Sequence, residues 1–382
     1  MRSRIKSFLT VLTFLGSLPV FASNLHYAVI IDAGSSGSRA HVFEYENVLP
    51  LLPVIKDLFD DSTSPGLSSY ANHSDDAGAS LKPILDKTAL YLKEKGVNLP
   101  EVSISVLATA GMRLLSLSEQ QAVYDGVRRY IRANYMFSLN DQNVRTITGT
   151  QEGVYGWLDV NYLSNNFIQP STTVGSIDMG GASTQIAFVT SDTTQSEHEV
   201  VLTINHTRYR VFSRSFLGLG QDQVRQTMTV DEASSSCYPD GYTYESQKTG
   251  HFDFAGCSDI YAGIIKNQDV KQITMPTAEQ HFVAYAGIFY NYSYLNTLHT
   301  PTQSALESQI NTVCYQPWDT LQSNYTTLPA RLLSTFCANG VYFDNLLYNT
   351  YQLQESQLTV TDAINGTSID WTLGALLYSL VS

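Results

Sequence analysis

A nine-residue stretch occurs twice in the chain. Ile31-Asp32-Ala33-Gly34-Ser35-Ser36-Gly37-Ser38-Arg39 is matched 146 residues later by Ile177-Asp178-Met179-Gly180-Gly181-Ala182-Ser183-Thr184-Gln185, each reading Ile-Asp-x-Gly followed by small residues. Each copy follows a β-rich run (Tyr27 to Ile31; Thr172 to Ile177) and precedes another (Ala40 to Tyr45; Ile186 to Val189). Both are therefore predicted to be β-hairpins with a glycine-rich tip. Two such tips in one chain predict a duplicated fold, with the hairpins facing each other across a cleft. Length agrees, because 382 residues exceed what one hydrophobic core supports and call for two domains.

The residues at the tips have a definite chemistry. Glycine lets the backbone turn tightly and bring successive N–H groups toward one point, and Ser and Thr hydroxyls add donors, which makes an anion nest suited to phosphate. An aspartate beside that nest repels phosphate unless a cation lies between them. Asp32 and Asp178 are therefore read as a metal pair holding Mg²⁺ or Ca²⁺ directly or through water. The alternative is an ordinary turn in which Asp caps the backbone; the matched pair favours the metal.

Two further segments lie between the copies. Ser103 to Leu107 is predicted to be a strand, Ala108-Thr109-Ala110-Gly111-Met112-Arg113 a turn, and a helix is expected from near Ser118, which with Gln121 forms a capping box. Val144 to Thr148 is predicted to be a strand, followed by Gly149-Thr150-Gln151-Glu152-Gly153 and a helix through Trp157 to Tyr162. Glu152 then sits in the first helical turn, where the macrodipole favours the ionised form that a general base requires. The alternative role is that of a helix-dipole partner alone.

The ends, charge and cysteines narrow the class further. Arg2, Arg4 and Lys6, the apolar run from Phe8 to Leu18, and small residues at Val20 and Ala22 are read as a signal peptide over residues 1–22. That run is too short and too diluted by Thr10, Thr13 and Ser17 for a permanent membrane anchor. Trp371 to Val381 is apolar but short, and is predicted to be a helix closing onto the core. The chain is expected to be a secreted or periplasmic monomer. Its net charge of −13 argues against nucleic-acid binding, which depends on Lys and Arg. An even set of cysteines in an exported chain predicts disulfides. Cys237, Cys257, Cys314 and Cys337 allow three pairings, of which the sequential Cys237–Cys257 and Cys314–Cys337 are favoured. Asn-x-Ser/Thr sequons begin at Asn72, Asn205, Asn291, Asn324 and Asn365.

Taken in order, the two tips and the two intervening segments resemble the conserved regions of the ecto-nucleoside triphosphate diphosphohydrolases, the apyrase family that includes CD39-like enzymes. Weaker matches run through Ser215-Phe216-Leu217-Gly218-Leu219-Gly220, Cys237-Tyr238-Pro239 and Trp371-Thr372-Leu373-Gly374-Ala375. The resemblance implies an α/β chain of two duplicated actin-like (ribonuclease H-like) lobes with nucleotide in the cleft between them. The first lobe is expected over residues 23–162 plus 360–382 and the second over 163–359. It implies hydrolysis of nucleoside tri- and diphosphates assisted by a divalent cation, Mg²⁺, Ca²⁺ or Mn²⁺. Glu152 matches the general base, Ser183 and Gln185 the residues that position the water, and Asp32 and Asp178 the pair holding the metal's water shell. Ser35, Ser36, Gly37, Ser38 and Arg39 match the first phosphate loop and Gly180, Gly181 and Ala182 the second, with Thr109 and Arg113 as further phosphate contacts. Tyr290 and Tyr342 are the aromatic candidates for clamping the base, with Tyr351 a rival for the second place. Many relatives carry two acidic residues before the glycine of the third region, whereas Gln151 precedes Glu152 here; the base matches the second position. The same superfamily includes exopolyphosphatases, sugar kinases and nucleotide-switch proteins. Exopolyphosphatase is the closest enzymatic alternative.

Overall fold

The structure, a computed structural model, describes residues 25–46, 52–168, 173–191, 196–245, 247–268, 270, 273–275 and 279–381. The signal peptide expected over residues 1–22 lies outside them. The first lobe is a five-stranded sheet in the order β3-β2-β1-β4-β5. Its strands are β1 Leu25–Ala33, β2 Ser38–Glu46, β3 Val54–Thr63, β4 Ser103–Ala108 and β5 Ser138–Thr146. β1 pairs antiparallel with β2 and parallel with β4. Strand alternation explains why β1 is apolar throughout: Val29, Ile31 and Ala33 point to one core, while Ala28 and Ile30 point to another. The outer core is closed by helices α1 Ala77–Ser80, α2 Lys82–Glu94, α3 Ala110–Arg113 and α4 Leu117–Asn134. In α4, Val123, Val127 and Ile131 recur at a four-residue spacing on the face turned to the sheet.

α4 starts earlier than predicted. The capping box is Ser116 with Glu119, not Ser118 with Gln121: Ser116 has extended backbone and accepts from the Glu119 N–H, and Glu119 takes the Ser116 N–H at 2.8 Å. A carboxylate at that position binds the N–H more strongly than an amide and also answers the helix dipole. Gln121 instead donates to Asp125 at 2.9 Å.

The second lobe repeats this plan. β6 Gly175–Met179, β7 Ser183–Val189, β9 Thr207–Leu217, β12 Phe282–Ala286 and β13 Leu358–Val360 take the places of β1 to β5, with β8 Glu199–Ile204 as an added edge, in the order β13-β12-β6-β7-β9-β8. The senses repeat too: β6 is antiparallel to β7 and parallel to β12. The helices that follow the fifth strand of each sheet, α5 Gly149–Leu163 and α13 Trp371–Val381, lie against each other between the two sheets. Glycines permit that contact. A Cβ at Gly374 would strike the Tyr155 carbonyl of α5, and one at Gly153 would strike the Ser213 hydroxyl of β9. α5 thus rests on the second sheet, although the boundary expected at 162 places it with the first lobe; α13 shares a core with Ala28 and Ile30 of β1.

The far side of the second lobe is larger. It holds α6 Gln221–Thr229, the hairpin β10 Thr243–Tyr244 and β11 Lys248–Thr249, α7 Phe254–Lys266, α8 Gly287–Tyr294, α9 Gln303–Cys314, α10 Trp318–Asn324, α11 Ala330–Leu333 and α12 Phe336–Asp344. Cys237–Cys257 ties the segment before β10 to α7, and Cys314–Cys337 ties α9 to α12, as expected. A short hairpin, β14 Ala363–Ile364 and β15 Thr367–Ser368, leads into α13. Asn291 is buried and donates to the Phe336 carbonyl at 3.1 Å, so of the five sequons it is not presented on the folded surface. Among the described residues, no helix is long and apolar enough to cross a membrane.

Candidate active site

The two tips meet at one end of the sheets. Asp32 lies opposite Arg39 in the first ladder and Asp178 opposite Gln185 in the second, so the repeat holds residue for residue. Each tip has four residues between its last paired positions, Gly34 to Gly37 and Gly180 to Ser183. Positive φ values fall at Gly96, Gly218, Gly241 and Gly366 rather than at the tips. The tip glycines are needed for space instead. A Cβ at Gly181 would lie 2.8 Å from the Ser35 hydroxyl, one at Gly37 2.7 Å from the Thr63 carbonyl, and one at Gly111 2.7 Å from the Ser35 Cα. The N–H groups of Gln221 and Asp222, at the start of α6, hold the carbonyls of Gly180 and Gly181 at 2.9 Å.

Between the tips lies a cavity of about 530 Å³ lined by Asp32, Ser35, Ser36, Gly37, Ser38, Arg39, Thr109, Glu152, Asp178, Gly180, Gly181, Ala182, Ser183 and Tyr290. Behind Ser183 sits a polar relay. The Gln185 amide donates to Glu152 at 3.0 Å, to Ser183 at 2.7 Å and to Ser215 at 2.9 Å, and Arg113 pairs with Glu152 and donates to Ser215 at 3.3 Å. An amide nitrogen has two hydrogens for these three acceptors, so the relay has slack. The Gln185 carbonyl oxygen is buried without a partner, an acceptor left over for a water or substrate group. Thr148 caps α5, which puts Glu152 in the first turn as expected. Burial nevertheless pushes the Glu152 pKa up, and Arg113 works against that rise.

Carboxylates crowd the floor. Burial, then Asp370, Glu152 and Asp178, hold the Asp32 pKa well above the usual range; burial, then Glu152 and Asp370, do the same for Asp178, with Tyr285 pulling it back. One Asp32 oxygen and the Ser38 hydroxyl are buried without partners. Among the described residues, no group of three or more His, Cys, Asp or Glu side chains is arranged to hold a metal ion directly. These side chains fit a hydrated divalent cation, which would relieve the repulsion at Asp32 and Asp178 through its water shell while phosphate oxygens complete it.

The sequence profile of the GDA1/CD39 (nucleoside phosphatase) family matches residues 20–382. The chain belongs to that family. Among its relatives are a probable apyrase 5 of Arabidopsis thaliana, 28% identical, with 95% of this chain and 86% of the relative covered. An ectonucleoside triphosphate diphosphohydrolase 2 of Mus musculus is also 28% identical, covering 92% of this chain and 82% of the relative. A solved nucleoside triphosphate hydrolase of Neospora caninum has the same fold, with a TM-score of 0.70 over 94% of this chain and 92% of that one at 16% identity. A Ppx/GppA family protein of Aquifex aeolicus shares the fold at a TM-score of 0.57 and 14% identity, covering 93% and 98%. The expected two-lobe actin-like architecture is thereby established.

Three of the residues expected to contact ligand lie off the cavity lining. Arg113, expected on phosphate, has its guanidinium on Glu152 and Ser215, one layer behind the cavity. Tyr342, expected on the base, is fully buried in the second lobe and donates to the Leu219 carbonyl at 2.6 Å. Its rival Tyr351 is buried as well. Both lie on an apolar face that the core claims first. Tyr290 lines the cavity and is 50% exposed. Sequence reasoning missed four residues. Ser215 lies beside Gln185 in the β7–β9 ladder, and Tyr285 beside Asp178 in the β6–β12 ladder. Asp370, next to Trp371 at the head of α13, is held by His41, which lies 3.3 Å from Asp370 and 2.8 Å from Asp57. Burial pushes His41 down, but the two carboxylates raise its pKa to about 10; burial pushes Asp370 up, but His41 holds it well below the usual range. Ser215 stands in a stretch already marked by the resemblance; His41 and Tyr285 carry no local signal.

Proposed function

We propose that the chain is an exported hydrolase that removes terminal phosphates from nucleoside tri- and diphosphates with the help of Mg²⁺, Ca²⁺ or Mn²⁺. The observation that carries this reading is the Gln185 carbonyl, buried without a partner among the described residues directly behind Ser183 and Glu152, which line the cavity between the two tips. Ser183 and Gln185 hold a water, and Glu152 takes its proton as the water oxygen bonds to the terminal phosphorus. The bond from that phosphorus to the bridging oxygen breaks, and the shortened nucleotide leaves with the bridging oxygen. The tips' backbone N–H groups and Ser35, Ser36 and Ser38 receive the charge that develops on the phosphoryl oxygens, and Arg39 binds the phosphate chain. Asp32 and Asp178 would hold the cation, which would supply Lewis-acid polarisation of the phosphate chain and offset its repulsion from the carboxylates. Arg113 opposes the rise that burial imposes on the Glu152 pKa, and Tyr290 stacks on the base. Two disulfides support an oxidising destination, secreted or periplasmic.

Phosphate release tests the proposal. ATP and ADP should both release phosphate, excess EDTA should stop the reaction, and added Mg²⁺, Ca²⁺ or Mn²⁺ should restore it. Preference for long-chain polyphosphate over ATP would move the chain to the exopolyphosphatase reading, and full activity in EDTA would remove the metal.

A further inference from the structure

Asp32 and Asp178 occupy equivalent places, but their neighbours on the parallel strand differ. Asp32 pairs with Leu107 of β4, and Asp178 pairs with Tyr285 of β12. Tyr285 is 3% exposed and lines the cavity, and among the described residues its hydroxyl has no hydrogen-bond partner. A phenylalanine would fill that volume without burying an unsatisfied hydroxyl, so packing alone gives no reason for the oxygen. The charged groups around it are carboxylates: Asp178, Asp159, Asp370 and Glu152. A hydroxyl hydrogen among carboxylates acts as a donor, and Asp178 is the carboxylate directly across the ladder from it. The space for it comes from α5, because a Cβ at Gly156 would overlap the Tyr285 hydroxyl while lying 3.5 Å from the ring carbon that bears it.

We infer that Tyr285 is a positioning residue for the cation: its hydroxyl donates to Asp178 and fixes that carboxylate toward the metal's water shell, and Gly156 is the notch that admits it. Asp32, with only Leu107 beside it, keeps one oxygen without any protein partner. The cation is therefore gripped asymmetrically, by one aspartate locked from behind and one free to turn. Partners of this kind, placed behind a metal-binding group, change metal affinity by roughly 10- to 100-fold when removed.

The inference rests on the metal reading above, and the experiment separates the two. Mn²⁺ binding to the full chain, with a saturating nonhydrolysable ATP analogue, is followed by the loss of the free-Mn²⁺ electron paramagnetic resonance signal. Tyr285→Phe should weaken Mn²⁺ by about 10- to 100-fold, with little change in melting temperature. Gly156→Ala should weaken it similarly by displacing the hydroxyl. The double variant should be no weaker than Tyr285→Phe, because the phenylalanine ring leaves ordinary contact to the new methyl. Unchanged Mn²⁺ affinity in Tyr285→Phe, with affinity lost in Asp178→Asn, would overturn the positioning role and leave the metal site standing. Wild-type affinity in Asp178→Asn would overturn both. A Gly156→Ala loss that adds fully to that of Tyr285→Phe would show that the notch acts through α5 rather than the hydroxyl.

Discussion

The two hairpins share their register, tip length and aspartate, and differ at the residue across the ladder. In the first lobe that residue is Arg39, whose side chain is 48% exposed and reaches toward the cavity; in the second it is Gln185, 2% exposed and wired to Glu152, Ser183 and Ser215. Duplication thus supplies one scaffold twice, and in the proposed mechanism single side chains divide the work on it: a cationic donor for phosphate on one side, a holder for water on the other. The lobes also differ in what stabilises them. Both disulfides and most of the aromatic core belong to the second, while the first has no disulfide among the described residues.

If the aspartates are the element the lobes truly share, removing either should have the largest effect. Asp32→Asn and Asp178→Asn should each lower turnover about 10³-fold or more, the several kcal/mol expected of metal charge stabilisation. Both pKa values are raised in the fold, so each carboxylate's contribution to stability is intact only below its ordinary range and is lost as pH rises through the raised value. Metal-free Asp32→Asn and Asp178→Asn should therefore melt higher than the metal-free wild type near pH 8. A lower melting temperature in either would break the equivalence of the two sites.

Reduction should divide the lobes by stability. Each disulfide contributes on the order of 2–4 kcal/mol, so proteolysis of the reduced chain should begin within residues 221–357 and spare β1 to β5 for longer. Simultaneous cleavage of both would show that the lobes melt as one unit. A smaller effect separates the equivalent residues. Arg39→Ala should raise KM roughly 10- to 100-fold, the worth of a hydrogen bond to a charged group, with kcat little changed. Gln185→Ala should lower kcat instead, and should add little to a Glu152 variant because both act on one water. Steady-state kinetics with ATP would read the split, and the same pattern for both variants would contradict the division of work.

The smallest effect belongs to the tie between β2 and α13. Because the His41 pKa is raised from 6.5 to about 10, its pairing with Asp370 and Asp57 contributes fully below about pH 6.5 and is lost as pH rises through about 10. His41→Asn should lower the melting temperature most near pH 6, with the gap to wild type narrowing toward pH 10. A gap that does not change with pH would mean that His41 serves by packing.

What the amino-acid sequence conveyed follows the range of the forces involved. The hairpins, the helix at Trp371 and the place of Glu152 rest on short-range patterns, alternation, turn residues and caps, and all appear in the fold. The sequential cysteine pairing, favoured among the three left open, appears as well. The misplaced side chains depend on contacts between distant segments. Arg113 meets Glu152 and Ser215 only once β4 and β9 are brought to the same edge, and Tyr342 is a core residue because α12 packs inside the second lobe. With 24 tyrosines in the chain, no local feature separates Tyr290 at the cavity from Tyr342 beneath it. Tyr285 is the one polar side chain in β12 and His41 one of several in β2, and their importance lies in what faces them from the segment leading into α13, β3, β6 and α5.

The central claim is that the second tip aims a water which Glu152 deprotonates. The most direct measurement is kcat for ATP hydrolysis by Glu152→Gln together with its affinity for a nonhydrolysable ATP analogue. The substitution keeps the size and hydrogen bonding of the side chain but removes the base. The account predicts that kcat falls by roughly 10²- to 10⁴-fold, the usual share of general-base catalysis, with analogue affinity nearly unchanged. Turnover near the wild-type rate would contradict it and leave Glu152 as a helix-dipole residue paired with Arg113.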